Sequence, residues 1–225
     1  MRTLDVIPAY NEQECLAATV ASLRASCPHV DYLVVNDGSL DRTGAICDEL
    51  GLSHVDMPVN LGLASGVRTG MRYALRHGYD AVVQFDAEGQ HLPETIPLLE
   101  RALEEGADVA IGSRALAGGG ASGARGVGAH LIRWLIRSAT GQTITDPTSG
   151  LRMYDRAMME RMTRGFDVAP EPDGIALLMR QGARVVEVPA RMCERQGGQS
   201  YLRLSTSVAY MARTCLSLLL FVRFR

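Results

Sequence analysis

Residues 81–91 read AVVQFDAEGQH: an apolar run that stops at two carboxylates, Asp86 and Glu88, with the amide Gln90 two residues further on. The run is too short for a helix, so it predicts a buried strand over 81–85. Its end is the informative part. Asp86 and Glu88 either decorate a solvated loop or turn to the same side as the chain leaves the sheet. In the second case they suit a hard divalent cation, because Mg²⁺ or Mn²⁺ takes one or two carboxylates and completes its shell with phosphate oxygens. Gln90 would add a neutral oxygen, and His91 reads as a supporting residue rather than a ligand.

Outward from that stretch, apolar runs at 4–8, 32–35, 54–57, 109–112 and 184–188 alternate with helical patterns at 12–26, 41–50, 63–77, 94–105, 129–140 and 174–181. A further short strand and helix fall between 150 and 162. This alternation predicts an α/β fold: a Rossmann-like, mostly parallel sheet flanked by helices. The Gly-rich stretch 117–128 (AGGGASGARGVG) reads as a flexible loop. In such sheets ligands bind beyond the carboxyl ends of the strands. Four of those ends are polar: Pro8-Ala9-Tyr10-Asn11-Glu12, Asn36-Asp37-Gly38-Ser39, Phe85-Asp86-Ala87-Glu88 and Gly112-Ser113-Arg114. One polar end is a turn; four on one edge make a site.

The 225 residues are 47% hydrophobic and 21% charged, enough for one domain with a proper core. A net charge of −2 conceals a polarity. Residues 1–105 hold 16 acids and 7 arginines, residues 106–225 hold 9 acids and 16 arginines, and there is no lysine. The basic half suits an anionic ligand or a membrane surface, while the lack of a dense basic tract argues against nucleic acid. Five cysteines without C-x-x-C spacing predict buried free thiols in a reducing compartment. The N-terminus has no apolar signal-peptide core, and no run of 18 apolar residues predicts a spanning helix.

Residues 36–41 (NDGSLD) form a turn feeding a helix, and Asp37 at a strand terminus can also accept hydrogen bonds from a base or ribose. Residues 60–66 (NLGLASG) open a helix with small side chains, which allows close approach to the backbone, although neither a P-loop nor G-x-G-x-x-G is present.

Together, Ile7-Pro8-Ala9-Tyr10-Asn11-Glu12, the VNDGSLD of 35–41, Asn60-x-Gly62, the FDAEGQH of 85–91, Gly112-Ser113-Arg114 and the DPTSGLR of 146–152 resemble the family 2 glycosyltransferases of the GT-A fold. Within that family they are most similar to the dolichyl- or polyprenyl-phosphate sugar synthases. The resemblance runs from about residue 5 to residue 195 and implies a catalytic domain over 1–200 with a tail at 201–225. Glu88 departs from the family's usual D-A-D-x-Q-H; its longer side chain still reaches a cation but moves it. Many relatives carry transmembrane helices after the catalytic domain, whereas this sequence ends at Arg225.

The resemblance implies a GDP- or UDP-sugar donor held by Pro8, Ala9, Tyr10, Glu12, Asp37, Asn60, Gly62, Asp86 and Ala87. It implies Mg²⁺ or Mn²⁺ on Asp86, Glu88 and Gln90, and inverting transfer to a polyprenyl phosphate. Such an acceptor is already an anion and needs cations more than a base. Arg114, Arg125, Arg152 and Arg195, read as lying on loops past the metal motif, fit that need. Arg195 heads RQGGQS at 195–200. Asp146 would orient an arginine or, for a hydroxyl acceptor, act as base. The expected catalytic set is therefore Asp86, Glu88, Arg114, Asp146, Arg152 and Arg195. The alternatives are a family 2 enzyme acting on a saccharide or small-molecule hydroxyl, and a non-catalytic nucleotide-sugar-binding module. The tail, apolar with interspersed arginines, suits a helix lying in the interface at the inner, cytoplasmic face of the cell membrane. Its rival roles are packing on the domain, a homodimer contact, or a contact with a separate membrane subunit.

Overall fold

The structure is a computed structural model that describes residues 1–119, 123–165, 168–193 and 204–222. Seven strands form one sheet: β1 (Thr3–Ala9), β2 (Asp31–Asn36), β3 (His54–Asp56), β4 (Ala81–Gln84), β5 (Val109–Ser113), β6 (Arg152–Asp155) and β7 (Val185–Pro189). Their spatial order is β3-β2-β1-β4-β6-β5-β7. Six run parallel, and β6 is antiparallel to both neighbours, β4 and β5.

The helices divide between the two faces. On one face lie α1 (Leu16–Ser26), α2 (Thr43–Glu49) and α4 (Ile96–Glu104), which cover Ile7, Val34, Val83 and Met153. On the other lie α3 (Leu63–Arg76), α5 (Gly123–Thr140), α6 (Arg156–Arg164) and α7 (Pro172–Arg180), which cover Val6, Val35, Val82, Ile111 and Tyr154. Alternate residues of each central strand therefore enter different cores, which is why the runs read as continuous apolar stretches rather than alternating ones. A 3-10 turn, Pro93–Thr95, starts α4, and α8 (Leu204–Ser217) ends in a π-helical turn, Leu218–Val222.

The boundaries expected from the sequence hold to a few residues, with two differences. The Gly-rich stretch is helical from Gly123 onward, so Arg125 belongs to α5 rather than to a loop. Small residues there let α5 lie close to a neighbour, which outweighs their poor intrinsic helix preference. Residues 152–155 form an antiparallel strand. Residue by residue it reads like its parallel neighbours because it too is buried on both faces. Cys15, Cys27 and Cys47 are buried thiols as expected, but Cys193 is exposed. Among the described residues, no helix is long and apolar enough to cross a membrane.

Candidate active site

The parallel strands deliver their carboxyl ends to one edge. Because β6 runs the other way, its start, Arg152, sits at that same edge opposite Gln84 and Ile111. The loop 146–151 that precedes β6 thus arrives beside the ends of β4 and β5.

On the β1–β2 side the loops are laced together. The Asn11 amide donates to Ser39 Oγ at 3.0 Å, and the Leu40 amide donates to Asn11 Oδ1 at 2.8 Å. The Glu12 amide donates to Thr43 Oγ1 at 2.8 Å. Asn11 takes a positive φ of 57° to make this turn. Asp37 is buried, and its two oxygens accept the Leu61 and Gly62 amides, each at 2.8 Å. It therefore fastens the Asn60–Gly62 segment to the end of β2. Gly38 has φ +65°, and a Cβ there would lie 2.6 Å from the Val59 carbonyl carbon, so only glycine closes this turn. Ala9, Glu12, Asp37, Asn60 and Gly62 belong to this laced wall, and Pro8 and Tyr10 adjoin Ala9 along the chain.

Asp86 leaves β4 at the centre of the edge with its side chain 29% exposed. Its amide donates to His91 Nδ1 at 3.1 Å, which puts the imidazole proton on Nε2, 3.3 Å from Asp86 Oδ2. His91 is buried and edge-on to Phe85. Burial lowers its pKa, Asp86 opposes this, and Arg114 adds to the lowering, so the ring stays neutral. On another side Gly150 presses against the carboxylate: a Cβ there would lie 2.9 Å from Asp86 Oδ2. Asp86 is therefore held through its amide by the His91 imidazole, and its carboxylate lies against a close glycine.

Ala87 is buried, with its carbonyl accepting from Thr19 Oγ1 at 2.8 Å, and Glu88 and Gln90 are partly exposed beyond it. The Gln90 carbonyl accepts the Cys193 amide at 2.9 Å, and His91 pairs in antiparallel fashion with Met192. Among the described residues, no three His, Cys, Asp or Glu side chains converge into a closed cage. Two carboxylates and an amide, all hard oxygen donors on one turn, instead fit an open Mg²⁺- or Mn²⁺-type site whose remaining ligands come from a substrate.

Beside Asp86 stands a second charged unit. Arg114 follows β5 and grips Asp146 side-on, Nε to Oδ2 and Nη2 to Oδ1, both at 2.6 Å. The Arg114 amide adds a bond to Oδ2 at 3.0 Å, and Nη2 also donates to Thr148 Oγ1 at 2.9 Å. Burial pushes the Asp146 carboxyl upward, but the Arg114 bonds and charge, with Thr148, hold it below its usual value overall. Glu187 of β7 fixes the same loop by accepting the Thr145 and Asp146 amides at 2.7 and 2.8 Å. The sequence reading missed Glu187; its signal was one acid inside the apolar strand VVEVP.

One expected arginine stands differently. Arg152 is not on a loop: it opens β6, is 2% exposed, and donates from Nη2 to the Pro147 carbonyl at 2.8 Å. It lies beneath Pro147 beside Gln84 and Tyr154, with Nε and Nη1 buried and without hydrogen-bond partners among the described residues. Antiparallel β6 turns this residue into the sheet, where its position in the motif could not have placed it. The side chain of Arg125 and the whole of Arg195 lie outside the described residues, although the chain passes Gln90 two residues before Arg195.

Residues 6–163 match the model of the glycosyl transferase family 2. The chain is similar to the polyprenol monophosphomannose synthase of Mycolicibacterium smegmatis, at 37% identity over 88% of this chain and 80% of that protein. It is 36% identical to the undecaprenyl-phosphate mannosyltransferase of Micrococcus luteus over 89% of this chain and 87% of that protein. Among solved structures it resembles glucosyl-3-phosphoglycerate synthase from Mycobacterium tuberculosis in complex with Mn²⁺, UDP and phosphoglyceric acid. The TM-score is 0.72 at 19% identity, covering 99% of this chain and 78% of that one. The chain belongs to glycosyl transferase family 2 and is a glycosyltransferase with the GT-A fold.

Proposed function

We propose that the protein transfers a sugar, with inversion, from a GDP- or UDP-sugar to a polyprenyl phosphate. Similarity to a polyprenol monophosphomannose synthase and an undecaprenyl-phosphate mannosyltransferase supports the acceptor class. One observation in the site carries the choice of a phosphate over a hydroxyl. Asp146 is clamped by Arg114 and held below the usual carboxylate range, so it is a poor general base. A hydroxyl acceptor needs a base; a phosphate monoester does not, and is instead attracted to a fixed guanidinium.

In this reading an acceptor phosphate oxygen attacks the anomeric carbon while the bond to the donor diphosphate breaks, the electron pair leaving with the diphosphate. Asp86, Glu88 and Gln90 would hold Mg²⁺ or Mn²⁺, which supplies positive charge to that leaving group. The laced wall of Pro8–Glu12, Asp37 and Asn60–Gly62 receives the nucleoside. Arg114, fixed by Asp146, meets the acceptor phosphate. Arg152 acts indirectly, tying down the Asp146–Gly150 loop through Pro147. Since a polyprenyl phosphate resides in a bilayer, the enzyme works as a peripheral protein at the cytoplasmic face of the cell membrane.

Incubation with radiolabelled GDP- and UDP-sugars, with polyprenyl phosphate or a free saccharide, followed by organic extraction tests this. The expected result is label in the organic phase that depends on Mg²⁺ or Mn²⁺. Label transferred only to the saccharide overturns the acceptor assignment, and turnover in EDTA overturns the metal assignment.

A further inference from the structure

Helix α5 is apolar on two sides. Ile132, Leu135 and Ile136 are buried in the core beside α7. On the far side Val127, Leu131 and Trp134, spaced i, i+4 and i+7, are 73, 45 and 59% exposed. A surface helix of a globular domain normally shows polar residues on that line. Helix α8 lies directly against α5, since a Cβ on Gly128 would meet Met211 Cε. Its π-helical end buries Leu218 but leaves Leu219 and Leu220 exposed, as is Leu216. Two touching helices thus offer six large apolar side chains to their surroundings, and Leu116, on the loop that runs from Arg114 towards α5, is exposed as well.

Along the sequence of these segments arginine dominates, although Glu171 and Asp173 at the start of α7 reach α8 at Arg213 and Ser217. From residue 109 to 145 the sequence has four arginines (114, 125, 133, 137) and no acid. From 195 to 225 it has five (195, 203, 213, 223, 225) and again no acid. Arg213 is paired with Glu171 of the preceding α7 junction. A second copy related by a two-fold axis would set these arginine-rich segments against themselves, which like charges oppose. An anionic lipid surface complements them, and a tryptophan flanked by aliphatic residues and arginines suits the headgroup boundary.

We propose that the outer face of α5, centred on Trp134, and the exposed leucines of α8 form a surface that docks on anionic bilayers. The choice of a bilayer as occupant rests on the lipid-phosphate reading above. Docking through α5 brings the Arg114 loop to the headgroup layer, where a lipid-borne phosphate would be met. The surface extends beyond the tail on which the sequence reading placed membrane contact.

Trp134 is the only tryptophan in the chain, so its fluorescence reports on this face alone. The full chain is titrated with phosphatidylcholine vesicles and with vesicles containing phosphatidylglycerol, both free of polyprenyl phosphate. Expected are a blue shift and quenching by brominated lipid with the anionic vesicles, both reversed by high salt. Leu131→Glu and Val127→Ser, each checked for fold by circular dichroism, should weaken partitioning, the Glu variant by about tenfold or more. Turnover of a water-soluble short-chain prenyl phosphate without vesicles should stay unchanged in both. Unaltered Trp134 emission with anionic vesicles overturns the proposal, as does partitioning unaffected by both substitutions. A blue shift that follows protein concentration without lipid, with a doubled mass by light scattering, assigns the face to a second copy instead. If docking occurs but no prenyl phosphate is glycosylated by the wild type, the acceptor reading fails while the docking surface stands.

Discussion

Gly150→Ala is expected to slow catalysis without unfolding the protein. The new Cβ would stand 2.9 Å from Asp86 Oδ2 and 3.3 Å from Oδ1, where ordinary contact begins at 3.4 Å. The carboxylate must therefore retreat by 3.4 − 2.9, or 0.5 Å. Its backbone cannot follow easily, because the Asp86 amide is bonded to His91 Nδ1, so the side chain takes up the movement. Metal–ligand distances tolerate only about 0.2 Å. A misplacement approaching 1 Å at a reacting centre costs up to about 100-fold. We expect kcat/KM to fall roughly 10- to 100-fold, equivalent to about 1.4–2.7 kcal/mol, together with a higher Mn²⁺ concentration for half-activation. Stability should hold, since Gly150 is not among the glycines with positive φ. Where alanine fits the backbone, restricting the unfolded chain stabilises by about 0.4–1 kcal/mol. Steady-state kinetics across a Mn²⁺ series, paired with thermal melts, separates the effects. Wild-type rate and metal dependence would refute the view that Asp86 works from this position. A large loss of melting temperature would show that strain spreads into the fold.

Asp86→Ala should abolish metal-dependent donor binding with an unchanged circular dichroism spectrum; retained binding in calorimetry would remove Asp86 from the metal set. Asp5 is fully buried, neither oxygen has a hydrogen-bond partner among the described residues, and burial first, then Asp86, raises its pKa well above normal. It stays protonated in the fold but ionises in the unfolded chain above about pH 4, so stability falls as pH rises from there until the folded pKa is reached. Asp5→Val should raise the melting temperature by roughly 2–10 °C near neutral pH, with a gap that shrinks towards pH 4; a pH-independent gap would contradict a neutral native carboxyl. Asp146 is shifted the other way, so the stability lost in Asp146→Asn should be evident at neutral pH and fade as pH drops below the usual carboxylate range. Arg152→Lys should lower the melting temperature by roughly 3–10 °C through the Pro147 contact, and an unchanged melt with a collapsed rate would instead return Arg152 to direct phosphate binding.

The sequence by itself determined the alternation of strands and helices, because apolar runs of strand length and 3.6-residue periodicity are local properties. It also determined the polar strand ends, and it marked the FDAEGQH turn as a candidate cation site, because donor type and spacing are written in consecutive residues. Tertiary structure decided what depends on partners far apart in the chain. The direction of β6 was hidden, since a strand buried on both faces has the same composition whichever way it runs. That direction brings Asp146 and Gly150 to the sheet edge yet buries Arg152 in the sheet, although all three belong to one seven-residue motif. Gly128 reads as part of a flexible loop until Met211, 83 residues later, is seen to pack on it. Glu187 and His91 join the candidate site only through the amides they meet in space. The roles of single residues followed contact and burial, and a linear chain of side chains carries neither.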